Sequence, residues 1–223
     1  DDEVNLYSEK IIFLSEIWNT HSGLELERVK QAPPIIKNNY LTFGSFNNFA
    51  KINNNVVRVW SEILRTINNS KLILKSSIPL QTINIKNQFK KYGVLDSIIF
   101  SSSKPFKEHL NLYNSIDICL DTFPYNGVTT SFEALWMGIP VLTMKGYNFN
   151  SRCGESINKN LNLMSMIAHD ENDYISKAKE FSDKEKLVNT RNIVFDNLLE
   201  SPLFDGKKFS KEFLGSLEAI YNK

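Results

Sequence analysis

Cysteine and histidine are scarce in this 223-residue chain: Cys119 and Cys153 are the 2 cysteines, and His21, His109 and His169 the 3 histidines. None stands at the short spacing that a tetrahedral metal site or a redox pair requires, so the sequence offers no metal centre. The cysteines are far apart, one in an expected strand and one near an expected helix start. That reads as a reduced chain, and a cytoplasmic location is the matching expectation. Charge of one sign is lacking too. Lys and Arg number 26 against 25 Asp and Glu, a net charge of +1, which withholds the basic field that gathers nucleic acid. No apolar run is long enough to span a bilayer, and the opening Asp-Asp-Glu-Val-Asn is not a signal peptide. With no initiator Met, that opening reads as mid-protein, and a carboxy-terminal portion of something larger is expected. Three glycine signatures are missing as well: the phosphate loop, the dinucleotide fingerprint and the nucleophile elbow. Nucleotide hydrolysis, hydride transfer and Ser-His-Asp hydrolysis all lose ground.

What is present is an ordinary globular composition, 42% hydrophobic and 23% charged, on a chain long enough to bury a core. Residues 1–38 form a lead-in, with an apolar run from Ile11 to Ile17 and a break at Pro33-Pro34. A regular alternation follows over residues 39–205. Strands are expected at Tyr40–Phe46, Lys71–Lys75, Ser97–Phe100, Ile116–Leu120 and Ile139–Thr143, and a short apolar stretch at Leu163–Ile167 can end the sheet. Between them Val56, Val57, Trp60, Ile63, Leu64 and Ile67 repeat at helical spacing. Further helices are expected at Thr82–Lys91, Pro105–Asn114, Thr130–Met137 and Ser151–Lys159, and from Asp170 onward. Residues 206–223 form a last helix, with its start near Phe209. Strands separated by helices imply a parallel, Rossmann-like α/β sheet with helices on both faces. Ligands of such sheets sit beyond the carboxyl ends of the strands, near a topological switch point. The segments to weigh are therefore 44–51, 75–77, 101–106, 121–130 and 145–152.

The run from Cys119 to Pro140 is the most informative of these. An apolar strand empties into a Pro/Gly turn, then Thr129, Thr130 and Ser131, then a helix bearing Glu133. Amides at a helix start have no intrahelical partners and attract anions. Gly127, Val128, Thr129 and Thr130 thus form a candidate phosphate cradle, although a lone Thr there is as easily an N-cap. Glu133 has the capping-box spacing from Thr130 and could equally accept hydrogen bonds from a ribose diol. Gly44 lets the backbone turn or approach a ligand closely, Asn47 and Asn48 supply amides, and Lys51 can reach a phosphate. Asp121 reads best as a buried carboxylate bracing the Pro124–Gly127 turn. Lys75 can cap the sheet edge, and His109 can be an ordinary partly buried imidazole. The layout points toward a nucleotide or nucleotide-sugar.

The segments YLTFGSFNNFAK (residues 40–51), DICLDTFPYNGVTTSFEALWMGIPVLT (residues 117–143) and SRCG (residues 151–154) resemble the O-linked N-acetylglucosamine transferase family, including its Spindly-type branch. Asp173-Tyr174 and the segment Ser201 to Asp205 match as well. The resemblance implies the carboxy-terminal, nucleotide-binding half of a GT-B glycosyltransferase that inverts the sugar's anomeric carbon. It implies a UDP-sugar donor, with a GDP-sugar as the alternative, and no metal or other cofactor. N-acetylglucosamine would be passed to Ser or Thr of a protein acceptor, which the amino-terminal half would hold. By the same resemblance Asn48 and Lys51 meet the diphosphate, Thr129 and Thr130 hold phosphate, and Glu133 takes the ribose. Lys104, Phe106 and His109 line the base pocket, with Lys51 stabilising the leaving group. Two positions depart from the pattern. Val128 replaces a Thr or His common in relatives, and Phe106 stands where animal enzymes carry a Lys. Tetratricopeptide repeats are expected in the full-length protein, residues 1–38 as a connector, and near-inactivity of this chain alone. The alternatives are a fucosyl or glycan-extending transferase of the same fold and a non-catalytic interaction module.

Overall fold

A computed structural model describes residues 7–76 and 78–222. The first six residues of the expected connector, and Ser77 of the second strand-end segment, lie outside the described residues. In chain order the elements are α1 (Ile35–Asn38), β1 (Thr42–Ser45), α2 (Asn54–Thr66), β2 (Lys71–Ser76) and α3 (Pro79–Lys91). They continue with β3 (Ile98–Ser102), α4 (Phe106–Leu112), β4 (Ile118–Leu120), α5 (Thr129–Trp136) and β5 (Val141–Met144). The last are α6 (Cys153–Lys159), β6 (Ile167–Ala168), α7 (Glu171–Glu180), α8 (Lys184–Asn197) and α9 (Gly206–Tyr221).

Among the described residues the strands form one parallel sheet of 6, in the order β3-β2-β1-β4-β5-β6. The chain runs outward from β1 through β3, then returns to β1's other side and runs outward again through β6. The direction reverses between β1 and β4, and there the two carboxyl ends part to leave a crevice.

Local chemistry explains the elements. Asn53 caps α2 by accepting from the amides of Asn55 and Val56, and the helix then buries Val56, Val57, Trp60, Ile63 and Leu64 on one face. Leu72, Ile73 and Leu74 of β2 are all buried because helices cover both faces of the sheet. Tyr174 of α7 is wholly buried, and its hydroxyl donates to the carbonyls of Asp121 and Leu142, tying that helix to the ends of β4 and β5.

Several boundaries differ from the expectations. Helix α3 starts at Pro79 instead of Thr82, since Pro suits a first helical turn. The expected helix to Asn114 tightens into a 3-10 turn at Tyr113–Ser115. The Leu163–Ile167 stretch is mostly a 3-10 turn, and only Ile167 and Ala168 pair with β5. Helix α9 begins at Gly206, before Phe209, because the Asp205 carboxylate caps it through the Lys208 amide.

Residues 7–34 contain no helix or strand. Ile17 is buried, the Trp136 indole donates to the Leu26 carbonyl at 3.0 Å, and Arg28 Nε donates to the Trp136 carbonyl at 3.0 Å. No described helix is long and apolar enough to cross a membrane.

Candidate functional site

The crevice between β1 and β4 is walled by the 46–53 segment on one side and the 121–130 turn on the other. Asp121 joins the two. It is 1% exposed, and its Oδ1 accepts from the amides of Thr122 (2.9 Å) and Gly127 (2.7 Å) and from Asn47 Nδ2 (3.3 Å). Its Oδ2 accepts from the Thr143 hydroxyl at 2.8 Å. Burial pushes the Asp121 carboxyl up to about 6, against the pull of the Gly127, Thr143 and Thr122 hydrogen bonds and of the Lys51 charge. The brace expected of Asp121 is what the structure contains. Asn126 completes the turn, donating to the Thr122 carbonyl at 2.9 Å and accepting from the Gly154 amide at 3.2 Å.

This turn delivers the start of α5. Val128 is its N-cap and makes no side-chain cap bond, while the amides of Ser131 and Phe132 both reach back to the Val128 carbonyl. The amides of Thr129 and Thr130 therefore have no intrahelical partner, and the positive end of the helix opens on the crevice. Thr129 is exposed. The Thr130 hydroxyl donates to Asn47 Oδ1 at 2.8 Å, so it bolts the two walls together and does not cap the helix. The N-cap reading of the threonines and the Thr130–Glu133 capping box are thus both corrected. Asp121 fixes the turn, which places the helix start one step before the threonines. Gly127 has no room for a side chain, since a Cβ would lie 2.6 Å from Thr130 Oγ1 and 2.8 Å from Asn47 Oδ1.

The opposite wall is a 3-10 turn, Phe49–Lys51, capped by the Asn48 side chain accepting from the Ala50 amide at 2.9 Å. Asn48 is exposed, whereas Asn47 is buried. Lys51 Nζ reaches across to the Asn126 carbonyl at 2.8 Å and lies 4.3 Å from the centroid of the Tyr125 ring. Burial lowers the Lys51 pKa, with Asp121 and Cys153 opposing. Gly44 does not approach this crevice to make room for a ligand. A Cβ there would strike Ile116 at 2.6 Å, so its absence serves packing within the sheet.

Deeper along α5 lies a buried polar cluster. His109 of α4 and Glu133 of α5 are 6% and 7% exposed, with Nε2 and Oε2 3.0 Å apart. The Tyr113 hydroxyl donates to the same Oε2 at 3.0 Å, leaving Oε1 without a hydrogen-bond partner among the described residues. Lys75, near the end of β2, sets its ammonium 3.1 Å from His109 Nδ1. Lys104 and Phe106 lie apart from this cluster on the rim. Lys104 makes a loose 3.7 Å contact with Glu108, and Phe106 is 54% exposed at the first residue of α4.

The structure thus brings Asn48, Lys51, Gly127, Val128, Thr129 and Thr130 to one mouth, and His109 and Glu133 to the adjoining interior. Sequence reasoning passed over Tyr113 and gave Lys75 only an edge role. Tyr113 carried a faint signal, as a large polar aromatic one helical turn after His109. No described group of three or more His, Cys, Asp or Glu is arranged to hold a metal ion. Both cysteines are free and buried. The crevice is an open shelf. A cavity of about 730 Å³ lies elsewhere, between residues 7–18, α6 and α9.

A model of glycosyl transferase family 41 matches residues 31–213. The chain is 35% identical over 199 residues to a Solanum lycopersicum protein named probable UDP-N-acetylglucosamine–peptide N-acetylglucosaminyltransferase SPINDLY, covering 84% of this chain and 20% of that protein. It is 34% identical over 232 residues to the Oryza sativa subsp. japonica protein of the same name, covering 99% of this chain and 24% of the relative. Among solved structures, a Thermobaculum terrenum O-GlcNAc transferase mutant is similar with a TM-score of 0.84 and 27% identity, over 99% of this chain and 42% of that one. The S. aureus TarM mutant shares the fold, with a TM-score of 0.63 at 13% identity over 96% of this chain and 41% of its own. The chain spans about a fifth of the curated relatives' length.

Proposed function

The chain belongs to glycosyl transferase family 41, with the α/β fold of the carboxy-terminal half of a GT-B enzyme, and from that membership we propose that its shelf binds the nucleoside diphosphate of a sugar donor. The observation that carries the reading is the division of labour within Glu133. One carboxylate oxygen is tied by His109 and Tyr113, and the other is left to accept from a ligand. A ribose diol offers the two donors such an oxygen suits. The unpaired amides of Thr129 and Thr130 and the Lys51 ammonium supply the positive potential a diphosphate needs.

In the proposed reaction a sugar leaves the diphosphate and joins a Ser or Thr hydroxyl with inversion. Negative charge grows on the departing phosphate oxygen, and Lys51 together with the α5 amides meets it without a metal ion. The names of the relatives favour UDP as the nucleotide and N-acetylglucosamine as the sugar. Asn48 would add an amide to the diphosphate, while Phe106 and Lys104 would border the base beside His109. Acceptor binding, and the groups that act on the sugar, would come from the other half of a two-domain cleft. The chain alone would bind donor and transfer little.

Calorimetric titration with UDP and with GDP tests the proposal. Binding of UDP, weakened at least about tenfold in Lys51→Ala as befits one charge-assisted contact, is expected. Binding of neither nucleotide would refute it. Preference for GDP would move the donor to the fucosyl or related alternative, and a full-length protein that turns over no sugar nucleotide would favour an interaction module.

A further inference from the structure

Tyr125 stands in the turn at the crevice mouth, with no part in the binding scheme above. Its backbone is held on both sides. The Thr122 hydroxyl donates to the Tyr125 carbonyl at 2.7 Å, and the amide of Asn126 donates to the Asn150 carbonyl at 2.9 Å. The ring itself is not a core ring. Tyr125 is 50% exposed, whereas Phe123, two residues earlier, is 2% exposed and packs against Tyr174 with centroids 5.5 Å apart. What the Tyr125 ring does meet is Lys51. The ammonium lies over its face, 4.3 Å from the centroid, and donates to the adjacent Asn126 carbonyl at 2.8 Å. At that distance the ring quadrupole attracts a cation.

We infer that Tyr125 is a positioning residue for the donor: its ring face and the Asn126 carbonyl together hold the Lys51 ammonium across the crevice, where the departing phosphate needs it. This deepens the donor-site reading and rests on it. A lysine on its own is poorly suited to a fixed contact, because its four-carbon stem has many rotamers to lose. An aromatic face restrains it at little cost to its function. A carboxylate in the same place would neutralise the ammonium and compete with phosphate for its donors. The ring attracts the charge and leaves it uncompensated. An ammonium carries three N–H donors, so the one given to Asn126 leaves capacity for a phosphate oxygen. Burial lowers the Lys51 pKa, and a ring face favours the charged form against that pull.

The experiment is a double-mutant cycle read by UDP titration, on the wild-type chain, Tyr125→Leu, Tyr125→Phe, Lys51→Ala and the Tyr125→Leu/Lys51→Ala pair. Leucine keeps apolar bulk but has no ring face, and phenylalanine keeps the face without the hydroxyl. UDP affinity should fall about fivefold in Tyr125→Leu and stay within about twofold of wild type in Tyr125→Phe. On the Lys51→Ala background, Tyr125→Leu should change affinity by less than about twofold, because its effect passes through Lys51. Carbon-13 NMR of lysine-labelled protein reads the contact itself, with Lys51→Ala identifying the signal. The Lys51 ε-methylene protons should be shifted upfield by the ring in the wild type and in Tyr125→Phe, and not in Tyr125→Leu. An equal loss of affinity with and without Lys51 overturns the inference, since Tyr125 would then touch the ligand or merely hold the turn. Unchanged affinity in Tyr125→Leu overturns it, and so does a loss in Tyr125→Phe as large as that in Tyr125→Leu. Failure of the wild type to bind UDP sinks the donor reading and the service to it, while the ring shift still decides whether Tyr125 holds Lys51.

Discussion

Asp121 sits beneath the shelf with four hydrogen bonds ending on its two oxygens. Its ionisation is nevertheless opposed by burial, and its titration is shifted up to about 6 from 3.8. At pH values between these limits the folded chain holds a proton that the unfolded chain has released. Its contribution is therefore fully present below about pH 4 and lost as the pH rises through about 6, by roughly 3 kcal/mol for a shift of this size. Asp121→Asn lacks this titration, and its amide can still accept from the Gly127 and Thr122 amides while donating to Thr143. Urea unfolding at pH 4 and pH 7 should show the wild type losing about 3 kcal/mol relative to Asp121→Asn; a constant difference would contradict the assignment. Asp121→Ala should cost about 2–4 kcal/mol at either pH, because it strands two buried amides. The brace was legible in sequence, since an acid directly after a strand and before a Pro/Gly turn has few other uses. The role of Thr130 was not. Its partner Asn47 lies 83 residues away in the chain, and only the adjacency of β1 and β4 brings the two together.

Helix α6 shows what an element needs in order to dock here. Its Gly154 lies where a Cβ would be 2.1 Å from Thr143 Oγ1 and 2.9 Å from Asp121 Oδ2. Gly154→Ala should lower stability by about 1–3 kcal/mol through overpacking, read as a drop in melting temperature. It should also weaken UDP binding, because the displaced atoms hold the shelf. The next residue, Glu155, is buried, which by itself raises a carboxyl, but the hydrogen bonds and charges of Arg152 and Lys159 win and hold it at about 2. That stabilisation is present above about pH 4.5 and lost as the pH falls through about 2. Glu155→Gln should therefore be less stable than the wild type at pH 7 and approach it near pH 2 in chemical denaturation; equal stability at pH 7 would contradict the ion-pair account. At this scale the existence and type of elements followed from hydrophobic period, and the errors fell at ends. Periodicity reports which face is buried. Where a helix starts depends on which group satisfies its first amides, and at α5 that was decided by a turn held from Asp121, not by the hydroxyl residues that looked like caps.

Across the molecule, the strand order puts the reversal between β1 and β4, and segments 44–51 and 121–130, which lie within the stretches that resemble the family, flank it. Alternating strands and helices made the parallel sheet legible, and the sheet rule then located the mouth of the site. The interior cluster was hidden because it is assembled across the sheet. Lys75 and His109 are 34 residues apart, and His109 and Glu133 are 24 apart, on three different elements. No local spacing encodes that meeting. The account therefore stands or falls on whether one ligand engages both the mouth and the interior. The direct measurement is the change in backbone amide NMR signals of the labelled chain as UDP is added. The account predicts saturable shifts concentrated at Thr129 and Thr130, with Lys51 and Glu133 moving in the same titration and with the same Kd. Shifts confined to the cavity between α6 and α9, or none at millimolar UDP, would contradict it.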